Sequence, residues 1–255
     1  MGRHGGQTPS RISGVHAVYE ALAAARPPIE RIHMAREAHS GKLREIIEIA
    51  RERGIPVRTE ERAVLDRMAG GEIHQGIIAV AAELSYTDFE LLFRTNNPVI
   101  VVLDGVEDPR NLGAVMRTAE ACGASGIVVP ERHSAMLGAA AVRASAGASA
   151  YLPVVRVKNL VHAIDEMKTR GLWVVGVDLA GTQDWTGFDY KGPVALVLGG
   201  EHRGLRRLVR EHCDALVKLP MLGKIASLNI SVAAGVVLYE VVRQRGLRPQ
   251  TFVMR

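Results

Sequence analysis

The sequence predicts a two-part α/β protein, with a small mixed unit followed by a larger domain built on a parallel sheet. Three observations predict it. From residue 99 onward, the apolar runs VIVVL, GIVV, LWVVGV and VALVLGG alternate with helical patterns. Strands covered on both faces by crossover helices read as such uninterrupted Val/Ile/Leu. The 255 residues, 47% of them hydrophobic, suffice for a small core and a medium one. Between the two, the composition shifts to LSYTDFELLFRTNNP, which ends in the turn signal Asn96, Asn97, Pro98.

Residues 1–10 are polar and Gly-rich and read as a flexible arm, while 11–82 form the first unit. Within that unit the periodicity predicts a helix over 15–25, a strand over 31–34, a helix over 41–53, a strand near Val57 and a helix over 60–68. GIIAVAA at 76–82 suits a buried strand. Residues 83–98 read as a linker, 99–246 as the second domain and 247–255 as a tail. The final helix, 228–244, is apolar nearly all round in its first half, which asks for burial against the sheet and a second surface. A neighbouring subunit and the chain itself both meet that need.

Composition excludes several classes. Cys122 and Cys213 stand alone with no metal-ligand spacing around them, so neither a disulfide framework nor a metal site is expected. A cytoplasmic protein with no membrane span is expected, because the chain carries no secretory h-region and no run of about 18 apolar residues. The net charge of +5 leans toward a polyanion, although basic and acidic residues are interspersed along the helices.

Three motifs fall in the second domain. DGVEDPRNLGAVMRTAEACGA, 104–124, follows the strand VIVVL as a strand-to-helix turn in which Asn111 is a candidate N-cap and Gly123 a stop. Leu112, Val115, Met116, Ala119 and Cys122 make one apolar stripe, which leaves Arg110, Gly113 and Arg117 on another face. Two guanidiniums near a helix start suit a phosphate. ALVLGGEHRGL, 195–205, ends a strand on Gly199 and Gly200, with Glu201 next. LVKLPMLGKIASLNISVAAGVVLYE, 216–240, leads from a strand through a loop to the last helix, with Ser227 as candidate N-cap and Asn229, a poor helix former, inside the first turn. A glycine fingerprint and a P-loop are both missing, which disfavours nicotinamide and nucleoside-triphosphate chemistry.

In this order and at these separations, the three motifs resemble those of the SpoU, or TrmH-like, family of RNA ribose 2'-O-methyltransferases in the SPOUT superfamily, nearest its RlmB-like branch. RISGVHAVYEAL and HQGIIAV are similar to the family's amino-terminal RNA-binding domain of ribosomal L30 type. The resemblance implies a carboxyl-terminal SPOUT domain with a deep trefoil knot, S-adenosyl-L-methionine as cofactor, a homodimer packed through that domain, and methylation of a guanosine ribose in large-subunit (23S) ribosomal RNA rather than DNA. Carried over motif by motif, the catalytic set is Asn111, Arg117, Glu201, Ser227 and Asn229, and the cofactor contacts are Gly199, Leu219, Met221 and Leu228. RNA contacts fall to Arg31, His33, Arg36, Arg110 and Arg203. Where many relatives have a small residue and then Gly around the second-motif Glu, this chain has Gly200 before it and His202 and Arg203 after it. A transfer-RNA or antibiotic-resistance methylase, and a non-catalytic ribosome-assembly factor of the same fold, are the competing readings.

Overall fold

The computed structural model describes residues 10–38, 40–82, 84–200, 203–224 and 227–246. The first unit runs β1 (Ser10–Ser13), α1 (Val15–Ala24), β2 (Ile29–Ala35), α2 (Gly41–Glu52), β3 (Val57–Glu60), α3 (Arg62–Ala69) and β4 (Ile77–Ala81). Its sheet has the order β1-β4-β2-β3, with β4 antiparallel to both neighbours and β2 parallel to β3. Because side chains alternate along a strand, Ile77, Ala79 and Ala81 of β4 meet α1 and α2, while Ile78 meets Leu65 of α3. The strand β1 falls where RIS gave no alternation to detect.

The second domain continues with β5 (Val99–Asp104), α4 (Pro109–Ala121), β6 (Gly126–Pro130), α5 (Ala139–Ala144), β7 (Val154–Val157), α6 (Leu160–Thr169), β8 (Trp173–Val177), β9 (Gln183–Asp184), β10 (Val194–Gly199), α7 (Arg207–Glu211), β11 (Ala215–Lys218) and α8 (Ile230–Arg245). The seven-stranded sheet has the order β7-β6-β5-β10-β8-β11-β9 and every pair is parallel. Val99, Val101 and Leu103 of β5 pack toward α4 and α8, whereas Ile100 and Val102 pack toward α6 and α7. An apolar run without alternation is thus the signature of a strand that is buried twice.

Residues 83–98, expected as a linker, carry a short 3-10 helix, Phe89–Phe93, whose Leu92 is fully buried among Ile100 and Val128. Gly126 makes room for it, since a Cβ there would stand 2.4 Å from Leu92 Cδ2. The two units touch through α5 and the residues after it. Arg143 pairs with Glu72 at 2.7 Å, and Tyr151 donates its hydroxyl to Glu20 at 2.5 Å.

Two helix starts differ from expectation. Asp108, not Asn111, caps α4, its Oδ1 accepting the Arg110 amide at 2.8 Å. Pro109 explains the shift: its fixed φ and missing N–H suit the first helical position. At α8 the cap is Asn229 rather than Ser227, with Asn229 Oδ1 accepting the Ser231 amide at 2.9 Å. Gly113 is buried rather than exposed beside the arginines, because α5 crosses it so closely that a Cβ would lie 2.4 Å from the Ala141 carbonyl oxygen. The stripe of Leu112, Val115, Met116, Ala119 and Cys122 is buried as its spacing predicts.

Candidate active site

The carboxyl ends of β5, β8, β10 and β11 open onto two adjoining cavities. One, of 420 Å³, is lined by Gly199, Leu219, Met221, Ser227, Leu228 and Arg203 among others, so one cavity gathers residues from two motifs. The other, of 810 Å³, is lined by Asp104, Asn111, His133 and Arg206, and shares Gly200, Arg203, Gly204 and Ile230 with the first. This is where ligands bind in open parallel sheets, outside the strand carboxyl ends.

Two of the four residues shared by the cavities, Gly200 and Gly204, offer only backbone. The Gly200 amide donates to the Asp104 carbonyl at 2.8 Å, and the Gly204 amide to the Gly200 carbonyl at 2.9 Å. A Cβ on Gly199 would stand 2.1 Å from the Gly204 carbonyl carbon, and one on Gly200 would stand 2.3 Å from the Gly105 carbonyl oxygen. Only glycine permits three chain segments to approach so closely.

Asn111, which lines the 810 Å³ cleft, meets Asn229, 118 residues away in the chain, with Asn229 Nδ2 donating to Asn111 Oδ1 at 3.0 Å. One side chain therefore both caps α8 and ties it to α4. Freed from capping by Asp108, the Asn111 amide is available for that tie. Arg117 is exposed on α4, two turns beyond its start, and Arg110 is exposed in the first turn. Neither lines the two cavities. Glu201 and His202 lie outside the described residues, as do residues 1–9 and 247–255.

In the first unit, Arg31 and Arg36 reach solvent, but His33 is buried, with Nδ1 3.2 Å from Glu60 Oε1. That pairing joins β2 to β3 and gives His33 a structural task. Sequence reasoning missed Asp104, whose buried carboxylate accepts from Arg206 through its amide at 2.8 Å and its Nε at 2.5 Å. The available signal was an acid closing an otherwise apolar strand, VIVVLD. It missed Asp178 as well, at the rim of the 420 Å³ cavity and 3.1 Å from Arg210 Nη2. Burial pushes the Cys122 thiol up to about 11 and, with help from Asp214, the Cys213 thiol up to about 12. Burial thus disfavours the thiolate of both, and neither cysteine lines the two cavities.

Residues 98–239 match the model of the SpoU rRNA methylase family, and 11–87 match that of the RNA 2'-O ribose methyltransferase substrate-binding domain. The chain is 42% identical to a 23S rRNA (guanosine-2'-O-)-methyltransferase RlmB of Pseudomonas putida, over 93% of this chain and 98% of that protein. It superposes with a TM-score of 0.78 on the SpoU methyltransferase AviRb of Streptomyces viridochromogenes in complex with AdoMet, at 29% identity and covering 93% and 90% of the two chains. An AdoMet-bound rRNA methyltransferase of Sinorhizobium meliloti is similar too, with a TM-score of 0.80, 28% identity and coverage of 92% and 87%.

Proposed function

The chain belongs to the SpoU rRNA methylase family, and on that premise we propose that it methylates the ribose 2'-hydroxyl of a guanosine in large-subunit (23S) ribosomal RNA with S-adenosylmethionine. The observation that carries the reading is the pair of adjoining cavities that share Gly200, Arg203, Gly204 and Ile230, with Asn111 and Asn229 joined beside them. Methyl transfer needs two ligands brought end to end, and this arrangement offers a chamber for each.

The smaller cavity fits the cofactor. Its walls alternate apolar side chains, including Leu198, Leu219, Met221, Leu228 and Ile230, with exposed backbone at Gly199, Gly200 and Gly204. Such a lining suits a flat adenine held by main-chain groups. Gly199, Leu219, Met221 and Leu228 would hold it, and the cofactor, when bound, supplies an electrophilic methyl on a sulfonium.

The remaining work is positioning. Asn111 and Asn229 fix α4 against α8 so that both helix starts keep one geometry beneath the acceptor ribose. Ser227, exposed at the cavity rim, and Arg203, which borders both cavities, stand where nucleotide and cofactor chambers meet. The family resemblance assigns Arg117, exposed on α4 and lining neither cavity, to binding the RNA phosphate and orienting the 2'-hydroxyl. A guanidinium with a pKa above about 12 does not serve as a free base near neutral pH. The family resemblance adds Glu201 to this set. Arg31, Arg36 and Arg110 are surface cations suited to RNA phosphates, and the first unit is read as the L30-like substrate-binding domain.

The same premise brings a deep trefoil knot in the second domain and a homodimer packed through it. Support for the dimer comes from Val232 and Tyr239, 51% and 58% exposed on α8 seven residues apart, with Leu228 just ahead of the helix. No helix among the described residues is long and apolar enough to cross a membrane.

The test is incubation of purified protein and tritiated S-adenosylmethionine with unmodified large-subunit ribosomal RNA, small-subunit RNA and transfer RNA, followed by nucleoside analysis. Label in 2'-O-methylguanosine from large-subunit RNA is expected. Label confined to transfer RNA overturns the substrate, and absence of label from all three overturns the reaction.

A further inference from the structure

Beside the reaction cleft lies a third groove, of 590 Å³, to which none of the assignments above extends. It opens after β6 and β7 and is bordered by α6 and α7, with three arginines, one lysine and one histidine in its lining (Arg132, Arg206, Arg207, Lys158, His133) and no carboxylate. Over the whole chain 32 basic residues face 27 acidic ones, so the groove concentrates a charge that is elsewhere nearly balanced. Arg206 is held by Asp104 and Arg207 by Glu211. Arg132 and Lys158 are exposed and form no ion pair among the described residues. Arg206 and Arg207 are balanced by those carboxylates, so the groove's net positive charge rests on Arg132 and Lys158, which a polyanion would pair.

The groove is continuous with the cleft. His133 and Arg206 line both it and the 810 Å³ cavity that contains Asn111. The strand order β7-β6-β5 lays the path out from an interior strand, β5, which Asn111 follows, to the sheet edge, where Lys158 follows β7. A nucleotide seated at Asn111 therefore has a covalent neighbour whose shortest cationic route is past Arg206 and into this groove.

We propose that the groove holds the phosphates of the RNA strand flanking the methylated nucleotide, with Arg132 and Lys158 as its specific ligands and Arg206, oriented by Asp104, as the cation at its entrance. The identity of the strand rests on the methyltransferase reading; the polyanion site rests on the groove alone. Leu208, 52% exposed in the same wall, gives one base an apolar surface beside the phosphate track.

The experiment compares wild type, the double variant Arg132→Ala/Lys158→Ala and the control Lys191→Ala, an exposed cation at the opposite end of the strands. Binding of a labelled 20-nucleotide single-stranded RNA is followed by anisotropy from 50 to 200 mM KCl, alongside methylation kinetics on unmodified large-subunit RNA. Losing two phosphate contacts should flatten the slope of log K against log salt by about 1.4, so wild type should lose about sevenfold more affinity than the double variant across that range. The RNA KM should rise several-fold while kcat and S-adenosylmethionine affinity stay at wild-type values, and Lys191→Ala should match wild type. A double variant with the wild-type salt slope and KM overturns the groove and leaves the methyltransferase reading intact. Wild type that methylates no RNA, while the double variant still flattens the salt slope, overturns that reading and supports the groove.

Discussion

The two ends of the seven-stranded sheet use the same residue types for opposite purposes. At the amino end, Arg245 gives its guanidinium to three carbonyls, those of Asn97 at 2.9 Å, Tyr190 at 3.0 Å and Gly192 at 2.6 Å, and Asn97 gives its amide to the Lys191 carbonyl at 2.8 Å. Gln244 clasps the chain at Tyr190 and Phe188, each at 2.9 Å. These polar groups close loops onto α8. At the carboxyl end, Asn111, Arg203 and Arg206 border cavities, and the tight packing is left to glycine backbone. A polar side chain spent on backbone carbonyls closes loops onto a helix, whereas at the carboxyl end polar side chains pair with one another at the cavity walls, Asn229 with Asn111 and Arg206 with Asp104.

Variants at the two ends should separate along that line. The largest effect is expected from Gly199→Ala. Its new Cβ collides with the Gly204 backbone, so S-adenosylmethionine binding and methylation should both fall more than 100-fold, with about 1–3 kcal/mol lost from stability. Isothermal calorimetry and chemical denaturation read the two separately, and retained cofactor binding would break the comparison. Next comes Asn229→Asp, which keeps an oxygen to cap α8 but removes the donor to Asn111. Methylation should drop about 10-fold to 100-fold with little change in Tm, the magnitude associated with misplacing one positioning group. A Tm loss matching that of an Ala variant would mean that the cap, not the pairing, was disturbed.

At the other end, Arg245→Ala should cost about 1 kcal/mol by removing the donor to the half-buried Tyr190 carbonyl, the exposed Asn97 and Gly192 carbonyls turning to water, while kcat and KM measured well below the melting temperature stay unchanged. A kinetic defect there would erase the distinction between the ends. The smallest effect concerns Glu240, whose carboxylate accepts from Arg243 at 2.6 and 2.7 Å and from Gln244 at 2.8 Å. The Arg243 hydrogen bonds hold its pKa below the usual carboxylate value, against desolvation. A depressed folded-state pKa contributes stability that is present above the unfolded value of about 4.3 and is lost as pH falls through the folded one. Glu240→Gln should therefore lower Tm by about 2 °C at pH 7, and that difference should shrink in melts below about pH 4.

The fold was legible wherever one physical signal dominated. Double burial wrote β5, β6, β8 and β10 as pure apolar runs, and the 3.6 period wrote the stripe of α4. Short elements were not legible. The four residues of β7 and the two of β9 carry too little pattern, and Phe89–Phe93 has a polar neighbourhood that hides a buried Leu92. The cap positions shifted for a local reason, since Pro109 lets Asp108 take the cap and so frees Asn111. Of the candidate residues, the four cofactor contacts that the resemblance implied, Gly199, Leu219, Met221 and Leu228, line one cavity together with Arg203 and Ser227. His33 stood among the candidate RNA contacts because nothing local in the sequence announces Glu60 on the neighbouring strand.

By itself the sequence determined the alternation of the longer strands and helices, the doubly covered parallel sheet and the family, because burial periodicity and motif spacing are local or one-dimensional properties. The tertiary structure alone decided which polar groups meet. Asn111 and Asn229 are joined across 118 residues, Asp104 orients Arg206 across 102, and the cations after β6 and β7 converge on one groove, all because parallel strands bring their carboxyl-end loops together however far apart they lie in the chain.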